Sequence, residues 1–391
     1  MKSKTLYFVA GEVSADNHGA ALMRSLRELD GELKFIGRGG PQMQEVAGES
    51  AIGRIRGGGQ FKNWIGDAAV LGLWEVLRKY GYFREQFHET LREIRESKPD
   101  AVVLIDYPGF NLRLARALRR QAPQQKIIYY ISPQVWAWNR GRIKRMAHFI
   151  DLVLCIFPFE VDLYNQAGLR ALFVGHPMIE RLQARKIDTQ RDENLIGLFP
   201  GSRSREVRKI FPVMLETARE LRQHNSNLRF EIAAASEELA QEMKPVVAGS
   251  DQSRDREAIQ ITVDQTAEIM QRAWAGIVAS GSATLEAAYF QLPFVLIYKV
   301  AWPTYLAARL VVNVKYLGMP NLLADKEVVP EFIQHHAKPN AIVKAVQPLI
   351  ENANARKRMI SQFDAIIPQL GDIGASQTAA RAVIEEIGSS I

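Results

Sequence analysis

The stretch Leu198-Phe199-Pro200-Gly201-Ser202-Arg203-Ser204-Arg205-Glu206-Val207 decides how this chain is read. It joins an apolar strand to an amphipathic helix through a turn that is both glycine-bearing and basic. Gly201 lets the backbone approach a ligand closely, the first N–H groups of the following helix lack intrahelical partners, and Arg203 and Arg205 add full positive charge. The helix end alone supplies roughly +0.5 of a charge. In outline this is an anion site; taken alone, it also fits an ordinary turn with a solvated basic face.

A second turn in the same half strengthens the first reading. The strand Ala275–Ala279 runs into Ser280-Gly281-Ser282-Ala283-Thr284-Leu285-Glu286, whose small side chains leave backbone N–H groups and hydroxyls free to reach a diphosphate. Glu286, one turn further on, is placed to accept bonds from ribose hydroxyls. Around these turns, strands at Leu228–Ala234 and Ile259–Val263 alternate with helices, one expected from Pro212. A nearly uncharged region, Ala273 to Val300, is broken by glycines, Glu286 and Pro293, so it reads as core and not as a membrane span. Trp302 to Leu317 reads as an aromatic and basic amphipathic helix, followed by the turn Gly318–Asp325 with Asn321.

Upstream, the polar stretch Thr189–Asn194 reads as a linker, and the first half repeats the alternation. Thr5–Ala10 is a strand, and Gly11-Glu12-Val13-Ser14-Ala15-Asp16 turns it into a helix. That turn lacks the three spaced glycines of a dinucleotide site, and its carboxylates repel phosphate. Glu12 and Asp16 therefore face hydroxyls or cap a helix. Ala101–Ile105 is a buried parallel-type strand ending in Asp106-Tyr107-Pro108-Gly109-Phe110-Asn111. Ligands of open α/β sheets sit beyond the carboxyl ends of the strands, so Asp106 is a candidate general base, or else a helix cap.

The segment from Phe61 to Trp74 follows Gly57-Gly58-Gly59 and is rich in large apolar side chains. It reads either as core or as a lipid-facing surface through Trp64, Leu71, Leu73 and Trp74. Ser132-Pro133 with Val135-Trp136-Ala137-Trp138 is a rim for a sugar or lipid, or packing. His176, after Gly175, is a ligand contact or a hydrogen-bonded structural residue.

Composition narrows the class. With 391 residues, 47% hydrophobic and 24% charged, two folded domains are expected. The single cysteine, Cys155, excludes an intramolecular disulfide framework and cysteine-cluster metal sites, and fits a reducing compartment. The basic start Met1–Lys4 precedes an apolar run too short for a signal peptide. A net charge of +7 predicts attraction to anions: nucleic acid, an anionic bilayer or a phosphorylated substrate. The basic residues lie along helices without an aromatic-basic RNA signature, so nucleic acid is not expected.

Assembled in order, these stretches resemble the lipid-A-disaccharide synthase family over nearly the whole chain. The matching residues are Gly11-Glu12 with Ser14 and Asp16, Gly72 with Glu75-Val76-Leu77, Ile105-Asp106 with Pro108, Phe110 and Asn111, and Ser132-Pro133 with Val135–Trp138. They continue through Phe157-Pro158-Phe159-Glu160, Gly175-His176, Pro200–Arg203 with Glu206, Ser280-Gly281 with Leu285-Glu286, and Pro320–Ala324. Ala15 and Gly109 depart from the family pattern, and the Gly57–Gly59 insertion is unusual; all three bear on the acceptor side.

The resemblance implies an α/β protein of GT-B architecture, two Rossmann-like domains facing across a cleft. Residues 1–188 would bind the acceptor and 189–366 the nucleotide sugar, while 367–391 form a helical segment packing back on the first domain or on a partner subunit. It implies transfer of 2,3-diacylglucosamine from its UDP derivative to the 6-hydroxyl of 2,3-diacylglucosamine 1-phosphate, giving a β-1,6 disaccharide and UDP. Asp106 and Arg203 are the expected catalytic residues. Gly201, Ser202, Arg203, Ser280, Gly281, Ser282, Thr284 and Glu286 are expected on the UDP-sugar, and Glu12, Ser14, Asn111, His176 and Asn321 on the acceptor or cleft. No Asp-X-Asp pair is present, so neither metal nor other cofactor is expected. A peripheral place on the cytoplasmic face of the inner membrane and a homodimer by exchange of C-terminal segments follow from the same likeness. Rival readings are a UDP-N-acetylglucosamine 2-epimerase and a noncatalytic nucleotide-sugar-binding protein.

Overall fold

A computed structural model describes residues 3–48, 61–65, 80–135, 141–248, 258–302, 305–306, 309 and 314–388. The chain divides into two units, Met1–Glu180 with Leu370–Ile391, and Arg181–Gln369.

In the first unit the elements are β1 Thr5–Ala10, α1 Val13–Leu29, β2 Lys34–Gly39, α2 Pro41–Gly48, β3 Phe61–Asn63 and α3 Tyr80–Ser97. They continue with β4 Ala101–Ile105, α4 Pro108–Gln121, β5 Lys126–Tyr130, α5 Gly141–Met146, β6 Leu152–Cys155, α6 Pro158–Gln166 and β7 Ala171–Phe173. The strands form one parallel sheet in the order β3-β2-β1-β4-β5-β6-β7. β4 is buried along its whole length, as a strand covered on both faces must be, and so reads as an unbroken apolar run. The order reverses between β1 and β4. Their register pairs Ala10 with Ile105, so the turns beginning at Gly11 and Asp106 leave the sheet level with each other.

The second unit is entered through α7 Met178–Gln183, which spans the division, and holds β8 Asp192–Phe199, α8 Ser204–His224, β9 Arg229–Ala234, α9 Glu237–Ala248, β10 Ile259–Val263 and α10 Thr266–Arg272. Then follow β11 Ala273–Ala279, α11 Ala283–Tyr289, β12 Phe294–Tyr298, α12 Met319–Ala324, β13 Glu331–Ile333, α13 Pro339–Glu351 and α14 Ala353–Ile366. The order β10-β9-β8-β11-β12-β13 reverses between β8 and β11. Here Phe199 pairs with Val278, again bringing two turns out side by side.

The units do not divide where the sequence suggested. Thr189–Asn194 is not a free linker, because Arg191 donates to the carbonyls of Met270, Ala273 and Phe290, and β8 already begins at Asp192. Ile187 N–H likewise bonds Gln271 at 2.9 Å. Helix α8 also starts earlier than expected, at Ser204, with Pro212 inside it. The Ser204 hydroxyl and the Arg208 guanidinium both bond Glu242, which fixes that first turn.

The C-terminal segment returns to the first unit as α15, Ala375–Glu386. Its Ala379, Ala380, Val383 and Ile384 join Ala15, Leu22 and Leu26 of α1 in the core. Small side chains on this face let the two helices approach closely. At its end Glu386 pairs with Lys126 and Arg170, each at 2.6 Å.

Candidate active site

Crevices at the carboxyl ends of parallel strands, where strand order reverses, are the ligand sites of open α/β sheets. Each unit has one. In the first unit Asp106 follows β4 with φ 45°, and Tyr107 follows with φ 49°. Two consecutive left-handed residues fold the chain back sharply at a cost of about 1–3 kcal/mol each, so surrounding bonds must hold them. They do. The Asp106 N–H donates to Tyr130 O at 3.0 Å, while its carbonyl accepts from Tyr129 Oη at 2.5 Å and Asn111 Nδ2 at 2.8 Å.

This elbow carries the Asp106 carboxyl into a largely desolvated position. Burial, and then the Glu12 charge, push its pKa up to about 6, against the opposing effect of a bond from Tyr107 N–H. The helix-cap reading of Asp106 is not what forms: the N-cap of α4 is Tyr107, without a side-chain cap bond. Gly11 is required by Tyr107, whose ring lies so close to the β1 turn that a Cβ at Gly11 would meet it at 2.3 Å. Burial and Glu12 also push the Tyr107 phenol up to about 12, keeping it protonated as a donor.

Several expected acceptor contacts have other work. Asn111 is fully buried and its Nδ2 donates to the Ile105 and Asp106 carbonyls, which positions the elbow, while its Oδ1 has no hydrogen-bond partner among the described residues. Asn321, in the second unit, is also fully buried. Its Nδ2 donates to Val329 O and Glu331 Oε1, and its Oδ1 accepts from the N–H groups of Val328 and Val329. Both ends are engaged within its own loop, which corrects its assignment to the cleft. His176 is half-buried against the Phe157 ring, its N–H donating to Leu370 O at 2.8 Å and its Nδ1 accepting from Met178 N–H. Glu12 and Ser14 are exposed at the start of α1, beside the elbow turn. Asp16 accepts from the N–H groups of Gly40, Gln42 and Met43, capping α2 and not its own helix.

Trp64 is only 3% exposed, its indole N–H donating to Ala10 O at 2.6 Å, with Tyr107 and Phe110 against its ring. That packing corrects its reading as a membrane contact. Leu71, Leu73, Trp74, the Gly57–Gly59 loop and Trp136–Trp138 lie outside the described residues.

In the second unit the basic turn follows β8. Gly201 has φ 97°, a conformation that a side chain would strain, and its nearest neighbour across the switch point is Ala279. Ser202 and Arg203 are exposed, and Arg203, the N-cap residue of α8, reaches Glu206 Oε1 at 3.2 Å. On the other side of the crevice Ser280, Gly281 and Ser282 lead into α11, where Thr284 is fully buried and donates to Gly281 O. Thr284 therefore braces the turn from inside. Glu286 pairs with Arg181 at 2.7 Å. Tyr298, at the end of β12, is a member that the sequence reading missed: burial and Glu206 raise its pKa while Arg203 opposes them, so it lies in the same electrostatic field. A tyrosine closing a core strand was the available signal.

One unit therefore ends its crevice in a carboxylate held on a strained elbow, the other in a pair of glycine turns with an exposed arginine. Among solved structures, the fold is similar to a putative UDP-N-acetylglucosamine 2-epimerase from Listeria monocytogenes, with TM-score 0.62, 12% identity and coverage of 100% of this chain and 98% of that one. It is similar also to the glycotransferase of kitacinnamycin, with TM-score 0.61, 12% identity and coverage of 99% and 100%. At such identity the likeness shows the fold alone, that of the GT-B glycosyltransferases and epimerases.

Full-length sequence separates those two classes. The family model for lipid-A-disaccharide synthetase matches residues 6–383. The lipid-A-disaccharide synthase of Geobacter sulfurreducens is 36% identical over 100% of this chain and 99% of its own. The chain belongs to the lipid-A-disaccharide synthase family and is a glycosyltransferase; the epimerase and the noncatalytic binder are not favoured.

Proposed function

We propose that the protein transfers 2,3-diacylglucosamine from its UDP derivative to the 6-hydroxyl of 2,3-diacylglucosamine 1-phosphate with inversion. Asp106 removes the hydroxyl proton as that oxygen attacks the anomeric carbon, and the bond from that carbon to the UDP oxygen breaks in the same displacement. The observation that carries this reading is the Asp106 carboxyl itself, held on a strained elbow at a switch point with a pKa near 6. Such a group is ionised at neutral pH yet basic enough to accept a proton, and a positioned base contributes about 10²–10⁴-fold.

The departing diphosphate is neutralised by Arg203 and by the N–H groups and hydroxyls of the Gly201–Ser202 and Ser280–Ser282 turns. This donor set is cationic and hydroxylic, so no metal is needed there; full UDP release in excess EDTA is expected. Acyl-bearing substrates require a peripheral place on the cytoplasmic face of the inner membrane. The net charge of +7 supports it, and no helix among the described residues is long and apolar enough to cross a bilayer. A homodimer formed by exchange of the C-terminal segment would reproduce between chains the α1 to α15 contact seen within one.

The test is UDP release from UDP-2,3-diacylglucosamine with and without the monosaccharide 1-phosphate. Release that depends on the acceptor and yields the disaccharide is expected. Release without an acceptor, or none at all while UDP binds, would overturn the transfer.

A further inference from the structure

Just beyond Asp106, α4 and α5 enclose a groove of roughly 520 Å³. Leu112 and Phe149 supply apolar surface, while Arg113, Arg116, Arg120, Arg142 and Arg145 supply charge, and among the described residues no carboxylate lines it. Arg119 also borders the groove but is engaged with Asp151 at 2.6 Å. Arg113, Arg116, Arg120 and Arg145 make no ion pair with any described residue. The Arg142 guanidinium is pushed below its ordinary pKa by burial and then by Arg145 and Arg113, so these three charges face one another. Guanidinium forks gathered over apolar surface, with Arg113, Arg116, Arg120 and Arg145 in no ion pair with a described acid, form a receptor for a compact, multiply charged oxyanion. They suit neither a cation nor a neutral sugar.

The groove also has a direction. Pro108 and Gly109 line one end, directly after the Asp106–Tyr107 elbow, and nothing lies within 4 Å of where a Gly109 side chain would begin. From Gly109, Arg113 and Arg116 are about 6 and 10 Å further along the axis, at 1.5 Å per residue. That span is of the order of the reach from the 6-hydroxyl of one hexose, past its ring oxygen, to the oxygens of a phosphate on C1.

We propose that this groove is the phosphate subsite of the acceptor, with Arg113, Arg116 and Arg145 binding its phosphomonoester while the far hydroxyl meets Asp106. The inference rests on the transferase reading above and adds the residues that select a phosphorylated acceptor.

The test compares the unaltered protein with the double variant Arg116→Gln, Arg145→Gln, both positions being exposed and so of little weight in folding. Transfer is measured in neutral detergent micelles to 2,3-diacylglucosamine 1-phosphate and to the same sugar without phosphate. The unaltered protein should prefer the phosphorylated acceptor, and the variant should lose about 10- to 100-fold of that preference, mainly through KM. Binding of soluble glucosamine 1-phosphate, measured by calorimetry, should weaken in parallel. An unchanged preference would overturn the subsite. So would a variant that keeps the preference but no longer binds vesicles containing anionic phospholipid, since the groove would then read the bilayer. If the unaltered protein transfers to neither acceptor, the transferase reading fails separately, and arginine-dependent binding of glucosamine 1-phosphate alone decides for or against the groove.

Discussion

The two switch points share one topology and carry opposite chemistry. In each unit the first strand and the strand beside it across the reversal end level, at Ala10 with Ile105 and at Phe199 with Val278. After β1 and β4 come Glu12 and Asp106, a site that raises the proton affinity of a carboxylate. After β8 and β11 come Gly201, Arg203 and Gly281, a site that gathers positive potential. The strand ends decide where a ligand sits, and the residues of the turns decide which ligand. A carboxylate crevice suits a hydroxyl to be deprotonated, and a glycine and arginine crevice suits a diphosphate.

The sharpest way to break this comparison is to exchange the expected losses. Asp106→Asn keeps shape and hydrogen bonding but cannot accept a proton, so kcat should fall about 10²–10⁴-fold while the Kd for UDP is unchanged. Arg203→Ala should do the reverse in emphasis, weakening UDP by about 10-fold or more through loss of a charge-assisted bond. Calorimetry with UDP and steady-state kinetics on both variants check the pair. A loss of UDP affinity in Asp106→Asn would show that the two crevices do not divide the work as proposed.

A smaller effect falls on stability, and it runs in the direction expected where a functional group is held at a cost to the fold. The folded pKa of Asp106, about 6, lies above the ordinary carboxyl value of 3.8. Between those values the folded state binds the proton more tightly, so stability falls as pH rises through the window and the cost persists above it. The shift corresponds to at most about 3 kcal/mol. Asp106→Asn should therefore stabilise the first unit by roughly 1–3 kcal/mol at pH 8, with the gain shrinking towards zero at pH values below 4. Urea titrations at both pH values measure it. A destabilised variant at pH 8 would mean that the carboxylate is held by bonds that outweigh its burial.

Much of this is legible in the amino-acid sequence. Apolar runs such as Ala101–Ile105 announce buried parallel strands, and the placement of Asp106 and of both glycine turns at strand ends follows from alternation alone. Less legible were the roles of polar residues whose partners are distant in sequence. Asp16 caps a helix 25 residues later, beginning at Pro41, because Gly40 brings that backbone to its carboxylate, and no local pattern encodes the approach. Asn111 and Asn321 have the residue type of ligand contacts, yet each is buried among carbonyls that only the folded loop assembles. Trp64 was ambiguous because an apolar run looks the same whether it faces core or lipid; its bond to Ala10 O decides for packing. The consecutive left-handed residues at Asp106 and Tyr107 leave no trace in composition, since aspartate enters that region far more readily than tyrosine does.

The finest test of the contrast lies within the acidic crevice, at Glu12. Its charge is the second cause, after burial, of the raised Asp106 pKa, and it acts on Tyr107 in the same direction. The acidic limb of the kcat/KM profile should report the ionisation of Asp106 in the free protein, with transfer rising as pH climbs through about 6. Glu12→Gln removes the like charge but leaves the burial, so the limb should move towards lower pH without disappearing. At neutral pH the same variant makes Asp106 a weaker base, so the plateau should fall slightly even as the working range widens. Glu12 is exposed and makes no side-chain cap bond to α1, so the change should leave the fold intact. A limb that stays in place would show that desolvation alone sets the base. A limb that moves upward would show that Glu12 holds the ionised form of Asp106 through a bridging donor, and the acidic crevice would then work by shared hydrogen bonding and not by repulsion.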